Sequence, residues 1–364
     1  MRKKELVSEF SAIVRTGKIN GWFGTLDGGP WIRKFERAFA DYHGTKHAIA
    51  VSSGTAALHC ALLAIGVRPR DKVVTTAYTH IGGVCPILMS AAIPIFVDTE
   101  PKGFNIDPDG IREVLKKKPA AIIASHQLGY PCDVARIIED AEHVRVIEDA
   151  SQALGARYKK RRAGAIGDIG IFSVGGDLTK PITTAEGGVI VTDDGELAEK
   201  CRALRNHGDR YQEKMYLCYN YRMSDLQALV GYYFFQSIDY EIKWQMERGK
   251  YILERAPSYL VSLQETREEV EPSYYILGFE AVGLKPERVV KAFEEAGISK
   301  NQPRANISRG YKQLVYELPF YRKYMRSCPH SEEKIKKSIW IDYHRRPRSY
   351  VEIDRMLGVS RRIR

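Results

Sequence analysis

One lysine of this chain, Lys180, lies in a short glycine- and threonine-rich loop between two apolar, strand-like runs. A lysine held against buried strands is costly to keep charged unless it reaches solvent or is used chemically. The simpler interpretation is a solvated loop lysine, because most lysines lie on protein surfaces. The alternative is a reactive amine, and that role requires partners from other parts of the chain.

A second candidate is the turn of Ser53, Gly54 and Thr55, which joins a short β-rich run to a helical one. Such a turn points backbone N–H groups and the positive end of a helix at an anion, and glycine allows a close approach. Glycine is also common at strand-to-helix turns for purely steric reasons. The turn is therefore a candidate phosphate site that needs independent support.

A third candidate, Asp149, lies at the end of an apolar run over residues 144–150 that is predicted to be a central strand. In an open parallel sheet, ligands bind at the carboxyl ends of the strands. A carboxylate placed there needs a cationic or protonated partner, because an isolated buried charge is expensive. The alternative is that Asp149 caps the turn that follows it. Gln152, three residues later, would reach the same ligand.

The chain order of these residues corresponds to the requirements of pyridoxal phosphate. Its phosphate needs N–H groups and hydroxyls, here Gly54, Thr55 and Ser173. Its pyridinium nitrogen needs a carboxylate such as Asp149, and its aldehyde needs an amine such as Lys180. A nicotinamide-binding Rossmann fold is disfavoured, since no GxGxxG follows the first predicted strand.

The composition is that of a globular protein, with 44% hydrophobic and 28% charged residues among 364. The apolar runs are shorter than the roughly 18 residues of a membrane span, and the N-terminus is charged without an apolar signal region. Six cysteines without CxxC pairs and nine histidines without HExxH spacing favour neither disulfides nor a metal site. We therefore expect a cytoplasmic protein that takes no membrane and no metal as partner.

The formal net charge of +11 is compatible with nucleic-acid binding or with an anionic small substrate. The basic residues are spread along the chain, and no RNP, KH or zinc-finger pattern accompanies them. The sequence thus favours an anionic small molecule, and no nucleic-acid partner is expected.

Strand-sized apolar runs alternate with helical ones from about residue 46, including a predicted helix near residues 81–91. This alternation indicates an α/β fold, with a large, mostly parallel mixed sheet flanked by helices. From about residue 255 the elements become shorter and more isolated, which indicates a smaller α+β C-terminal domain. The predicted division is a large cofactor-binding domain over residues 20–245 and a small domain from residues 1–19 and 246–364.

With these residues in place, the chain resembles the DegT/StrS-type sugar aminotransferases, within the pyridoxal phosphate enzymes of fold type I. The similarity covers residues 20–240 closely and the remainder loosely. It is carried by KHAIAVSSGTAALHCAL, TTAYTHIG, PIFVDTEPKGFNIDP, VIEDASQALGA, GDIGIFS, TKPITTAEGGVIVTDD, LRNHG and YNYRMSDLQALVG.

The resemblance implies a role for each matching residue. Lys180 corresponds to the Schiff-base lysine and Asp149 to the partner of the pyridinium nitrogen. Gln152 corresponds to the residue near a cofactor oxygen, and His80 stands where the family usually has an aromatic ring stacked on the pyridine. The phosphate residues correspond to Gly54, Thr55 and Ser173.

The resemblance also implies a homodimer with shared active sites. Asn220 corresponds to a residue that crosses to the partner's phosphate, and Arg222 is expected to assist it. Trp22 and Phe23 correspond to an aromatic segment that borders the substrate, although packing against the partner subunit explains them equally well.

The implied reaction moves an amino group from an amino acid, expected to be glutamate, to a keto sugar that is expected to carry a nucleoside diphosphate. Three alternatives stay open: a pyridoxamine-dependent sugar 3-dehydratase, a catalytically silent binding or regulatory relative, and a non-sugar cyclic ketone as substrate. In the dehydratases a histidine replaces the lysine, so Lys180 counts against the first. The nucleotide, the sugar and the aminated carbon (C3 or C4) are not fixed by the sequence.

Two segments depart from the family pattern. The loop over residues 174–179 is about two residues longer than usual, because of Gly175 and Gly176. Residues 299–321 replace a histidine-containing stretch that the family often has near its substrate. Substrate contacts are therefore not transferred to that region.

Overall fold

The fold is described by a computed structural model over residues 3–17, 19–20, 25–176, 180–208, 218–264, 267–296, 306–343 and 350–360. Trp22 and Phe23 lie outside these described residues, as do residues 177–179 of the loop before Lys180.

Helices surround the sheets throughout the described part of the chain. It contains twelve α-helices, α1 to α12 in chain order: Lys3–Thr16, Pro30–His43, Gly54–Ala64, Cys85–Met89, Pro108–Leu115, Val134–Ala141, Gly195–Arg205, Asp225–Phe235, Ile238–Arg255, Pro286–Glu295, Pro329–Lys337 and Tyr350–Ser360. Their ends follow local rules: Ser53 caps α3 by accepting the Ala56 N–H, and Ser224 forms a capping box with Gln227 on α8.

Strands alternate with these helices over the first half of the chain. The described residues contain fourteen strands, β1 to β14: His47–Val51, Lys72–Thr76, Ile93–Val97, Ala121–Ser125, Arg145–Asp149, Arg157–Tyr158, Arg161–Arg162, Ile169–Ser173, Gly188–Thr192, Leu260–Ser262, Val270–Glu271, Leu277–Ala281, Asn306–Ser308 and Ser338–Asp342. Seven of them form the main sheet, in the order β1-β9-β8-β5-β4-β2-β3.

The main sheet is mixed but mostly parallel. Strands β8, β5, β4, β2 and β3 run parallel to one another, whereas β9 is antiparallel to both of its neighbours, β1 and β8. Because β9 reverses direction between them, β1 runs the same way as β8. The carboxyl ends of β1, β2, β4, β5 and β8 therefore meet at one edge of the sheet, which is the edge where ligands bind in such folds.

Both faces of this sheet are buried, as a parallel sheet requires. Along β1, Ile49 and Val51 point to the face covered by α3, whereas Ala48 and Ala50 belong to the cluster on the opposite face. That second cluster includes Phe35 of α2 and residues of α8. The predicted α/β fold with a large mixed sheet flanked by helices is confirmed.

The predicted helix near residues 81–91 is wrong in its continuity. The structure has a short 3-10 helix, Ile81–Gly83, and then the five-residue helix α4. Two neighbouring glycines, Gly82 and Gly83, weaken helical structure at this point, and Pro86 cannot donate a backbone hydrogen bond. Because the helix is interrupted here, His80 lies in a turn at the edge of the main sheet.

The C-terminal part has its own sheet, β10-β12-β14-β13, in which every neighbouring pair is antiparallel. Phe279 and Ile339 of this sheet pack with Val289 of α10 and Met356 of α12.

The predicted domain limit at residue 245 falls within α9. Ile13 of α1, which was assigned to the small domain, packs with the cluster beside the large sheet. The domain limits therefore remain a prediction.

Candidate active site

A cavity of about 360 Å³ lies at the carboxyl edge of the main sheet. Its wall is formed by the ends of several strands and by the loops that follow them. Seven of the nine sequence-predicted site residues line it: Gly54, Thr55, His80, Asp149, Gln152, Ser173 and Lys180. The parallel strand directions explain this convergence, because residues distant in sequence follow strands that end side by side.

One end of the cavity is the N-terminus of α3. The first N–H groups of a helix have no partner within the helix, and they carry its positive dipole end. A Cβ atom on Gly54 would lie 2.9 Å from the Cβ of Ser173, so glycine allows the start of α3 to approach the end of β8. Backbone donors and two hydroxyls, those of Thr55 and Ser173, therefore border the cavity here, as a phosphate group requires.

Lys180 reaches the cavity from the connection between β8 and β9. Its Nζ donates a hydrogen bond to the carbonyl oxygen of Ser151 at 2.6 Å, and it lies 5.3 Å from the centroid of the Tyr275 ring. The side chain is partly buried, so the solvated-loop interpretation does not describe it. The Nζ atom stands instead among polar groups of the cavity wall.

The extra glycines before Lys180 belong to a short backbone ribbon. The Val174 N–H donates to the Gly187 oxygen at 2.9 Å, and the Gly176 N–H donates to the Ala185 oxygen at 2.7 Å. A Cβ on Gly175 would lie 2.4 Å from the Gly187 nitrogen, so this close approach requires glycine. The longer loop thus continues the pairing of β8 with β9 for about two residues towards the lysine.

Asp149 occupies the end of β5, in the middle of the cavity wall. Its Oδ1 accepts the Ser151 N–H at 3.1 Å, so the turn-capping role that the sequence left open is present. The same side chain also borders the cavity. The two roles are compatible, because a carboxylate has two oxygens with several acceptor positions.

His80 lies close enough to Lys180 and Asp149 for both charges to shift the pKa of its imidazole. Burial against the cavity wall lowers the pKa of its imidazole, the positive charge of Lys180 lowers it further, and the carboxylate of Asp149 opposes both. Its Nδ1 accepts the Gly82 N–H at 3.0 Å, which fixes the ring orientation. His80 is therefore a neutral ring at neutral pH, of a kind that can stack on an aromatic ligand.

Behind Asp149, the adjacent residue Glu148 points to the other face of β5. Its carboxylate pairs with His126 at 2.9 Å and accepts the N–H groups of Gly164 at 2.9 Å and Gly167 at 2.6 Å. Burial alone would raise the pKa of Glu148, but these hydrogen bonds hold it below its usual value. The buried pair ties the end of β5 to its neighbours and so holds Asp149 in place.

Several cavity residues were not found from the sequence. Ser125 Oγ and Gln127 Oε1 are buried and have no hydrogen-bond partner among the described residues, although both residues line the cavity. Gln127 Nε2 donates to Thr79 Oγ1 at 3.0 Å. The signal available in the sequence was their position, since Ser125 ends β4, Gln127 follows it and Thr79 follows β2, at the same sheet edge as Asp149.

The residues present fit pyridoxal phosphate. The helix N-terminus with its hydroxyls suits the phosphate, and Asp149 suits a protonated ring nitrogen. The buried, unpartnered oxygens of Ser125 and Gln127 are polar atoms that a bound polar ring or an ordered water can satisfy. The donor set is thus that of an anionic, aromatic, polar ligand rather than a metal.

Asn220 and Arg222 are not among the cavity-lining residues. Asn220 is exposed, and its backbone forms an isolated bridge with Asn206. Arg222 donates from its guanidinium to Asn206 Oδ1 at 2.8 Å. These two residues therefore do not line the cavity with the other seven, although the backbone of Arg222 bridges Val51 at the end of β1.

Two further properties concern the part of the chain that the structure describes. Among those residues, no group of three or more His, Cys, Asp or Glu side chains is arranged to hold a metal ion. No helix among them is both long and apolar enough to cross a membrane.

Comparison with known proteins gives a family match over most of the chain. A model of the DegT/DnrJ/EryC1/StrS aminotransferase family matches residues 4–349. The GDP-perosamine synthase of Caulobacter vibrioides is 40% identical over 215 residues, which are 58% of this chain and 57% of that protein. The match therefore spans less than two thirds of that relative's own length.

Two other similarities extend further along the chain. The pleiotropic regulatory protein of Geobacillus stearothermophilus is 36% identical over 284 residues, which are 74% of each chain. The X-ray structure of the aminotransferase from Psychrobacter cryohalolentis aligns with a TM-score of 0.86 and 26% identity, over 99% of this chain and 96% of that one. The predicted fold type is confirmed by this structural likeness.

Proposed function

The chain belongs to the DegT/DnrJ/EryC1/StrS aminotransferase family, and we propose that it is a pyridoxal-phosphate-dependent aminotransferase. It transfers an amino group from an amino acid, expected to be glutamate, to a keto sugar carried on a nucleoside diphosphate. One observation supports this most strongly: Lys180, Asp149 and the N-terminus of α3 border a single cavity.

The cofactor would be held at three points of this cavity. Gly54, Thr55 and Ser173 would receive its phosphate through N–H groups and hydroxyls. Asp149 would hold the ring nitrogen, and His80 would contact the ring. When bound, pyridoxal phosphate supplies an electron sink for the carbon next to the amino group of the donor.

The chain's own residues supply the proton handling. Lys180 Nζ would be the amine that holds the aldehyde of the cofactor. With the amino donor bound, the same Nζ would take the proton from the donor's α-carbon as a general base and release it as a general acid. Asp149 would keep the ring nitrogen of the cofactor protonated, because a carboxylate in a partly desolvated site stabilises an adjacent cation.

The acceptor is proposed from the chemistry of the family and of a relative. The relative from Caulobacter vibrioides is named GDP-perosamine synthase, and this name motivates a nucleotide-linked keto sugar as the substrate class. The net charge of +11 suits an anionic substrate, although exposed lysines account for charge of this kind equally well.

A homodimer with shared active sites completes the proposal. Asn220 is exposed and outside the cavity wall of its own subunit, as expected of a residue that reaches the partner's phosphate site. Arg222 would assist from its place beside Asn206. A cytoplasmic location is proposed as well, because none of the six cysteines, all of which the structure describes, is in a disulfide, as a reducing compartment favours.

The test is incubation of the purified protein with pyridoxal phosphate, glutamate and a panel of nucleotide-linked keto sugars and non-sugar cyclic ketones, followed by mass spectrometry. An amino sugar and 2-oxoglutarate in equal amounts are expected. A deoxygenated sugar without amine transfer would instead support the dehydratase. A protein that binds no pyridoxal phosphate would support the silent relative, and amination of a cyclic ketone alone would exclude the sugar substrate.

A further inference from the structure

Gln152 is held at both ends of its carboxamide. Its Oε1 accepts the backbone N–H of Leu128 at 2.7 Å, and its Nε2 donates to the hydroxyl of Tyr311 at 3.2 Å. A backbone N–H can only donate, so the oxygen of the amide must face Leu128 and the NH₂ group must face Tyr311. One of the two Nε2 hydrogens is engaged by Tyr311, and the residue lines the cavity.

Leu128, the partner of Gln152 Oε1, is held rigidly in the structure. Leu128 is fully buried and has a φ of 56°, in the left-handed region that a leucine seldom adopts. Its loop is held from the C-terminal part of the chain, because the Ile276 N–H donates to the Leu128 oxygen at 3.3 Å and the Ser273 N–H donates to the Gly129 oxygen at 2.9 Å. The Leu128 N–H is therefore a fixed donor.

The Tyr311 side is rigid as well. Its ring makes edge contacts with Tyr78, at 5.4 Å between centroids, and with Trp340, at 4.7 Å. Burial raises the pKa of its hydroxyl, which therefore stays uncharged over the working pH range. A neutral hydroxyl on an immobilised ring is a fixed acceptor for Gln152 Nε2.

We propose that Tyr311 is a positioning residue that fixes the Gln152 carboxamide, so that the remaining Nε2 hydrogen is presented to a ring oxygen of the bound cofactor. Tyr311 lies in residues 299–321, where this chain departs from its family. The inference rests on the proposed function, because the acceptor is an oxygen of pyridoxal phosphate.

The consequence is electrostatic. A donor to the ring oxygen spreads the negative charge of that oxygen, so the oxygen attracts the proton that it shares with Lys180 Nζ less strongly. When the donor is lost or misaligned, the proton is held more tightly and its pKa rises. A neutral hydrogen bond of ordinary strength corresponds to a shift of about 0.5–1 pH unit.

The experiment is a pH titration of the visible absorption of the protein loaded with pyridoxal phosphate. The variants are Tyr311→Phe, Gln152→Leu and the double substitution. Tyr158→Phe is the matched control, because Tyr158 is buried and its hydroxyl donates to Asp133 at 2.6 Å, away from the cavity. Thermal unfolding of these four variants and of the unmodified protein measures any structural cost.

Tyr311→Phe and Gln152→Leu are expected to raise the titration midpoint by about 0.5–1 pH unit. The double substitution is expected to match Gln152→Leu alone, and Tyr158→Phe is expected to match the unmodified protein. A wild-type midpoint in Tyr311→Phe, or shifts that add in the double substitution, would overturn the proposal. If the unmodified protein shows no visible band with pyridoxal phosphate, the proposed function fails instead.

Discussion

The cavity has two sides that differ in origin. The strand-end side consists of Gly54, Asp149, Ser173 and Lys180, which end or follow strands of the main sheet. The C-terminal side consists of Tyr275, which lines the cavity, and Tyr311, which holds Gln152. The first carries the groups that we propose to hold a cofactor or to stabilise its charge, and the second carries aromatic rings and a hydroxyl. We infer that chemistry is concentrated on one side and positioning on the other.

Lys180→Ala gives the largest expected effect on the strand-end side. Removal of the amine eliminates both the bond to the cofactor and the general base, so turnover should fall by about 10³-fold or more. The measurement is the initial rate of amino-sugar formation. Lys243→Ala is the control, because its side chain is 77% exposed. Comparable rates in the two variants would exclude the role of Lys180.

Asp149→Asn should produce the next largest effect. An amide of the same shape supplies no negative charge to a protonated ring nitrogen, so kcat should fall by about 100-fold while the fold is kept. Asp109→Asn, at a side chain 65% exposed, serves as the matched control. A kcat within twofold of the unmodified enzyme would show that Asp149 is only the cap of its turn.

Tyr275→Ala tests the C-terminal side. An aromatic ring that borders the cavity contributes contact area to a substrate, so KM for the keto sugar should rise by about 10-fold with a small change in kcat. Tyr275→Phe should retain most of the affinity, and Tyr240→Ala, at a residue 67% exposed, should change nothing. A loss in kcat as large as that of Lys180→Ala would abolish the distinction between the two sides.

The smallest expected effect is the pH dependence of cofactor binding through His80. Its pKa lies below the usual value, so the imidazole is neutral at neutral pH and becomes charged only as the pH falls through that lowered pKa. A charged imidazole would face a ring that Asp149 keeps protonated. Cofactor affinity should therefore weaken at acid pH by about fivefold, roughly 1 kcal/mol of like-charge repulsion.

His80→Phe keeps an aromatic ring without a titratable group. Its dissociation constant for pyridoxal phosphate, measured by fluorescence from pH 5 to 8, should lack the His80-dependent part of the acid weakening. The same pH profile in both proteins would assign the effect to another group.

The two sides also differ in how far they follow from the sequence. Asp149 and Ser173 end apolar runs, and parallel strands bring such ends together, so local pattern was sufficient to predict their meeting. Tyr275 follows Tyr274, a residue with a φ of 53°, and reaches the cavity only because residues 273–276 bond to the loop of Leu128. That contact joins parts of the chain about 150 residues apart, and no periodic pattern encodes it.

Strand β10 of the C-terminal sheet was missed for the same reason. Strand β10 has three residues, and its strand geometry depends on pairing with β12. Local sequence pattern does not predict that Asn220 and Arg222 lie outside the cavity of their own chain. Their predicted role depends on a second subunit.

The central claim is that Lys180 carries the cofactor. It is tested most directly by reducing the loaded protein with sodium borohydride, which makes a bond between a lysine and pyridoxal phosphate permanent, and by then sequencing the digested peptides by mass spectrometry. A phosphopyridoxyl group is expected on Lys180, in amounts equal to the protein, and on no peptide of Lys180→Ala. Modification of another lysine, or no modification of the loaded protein, would contradict the account.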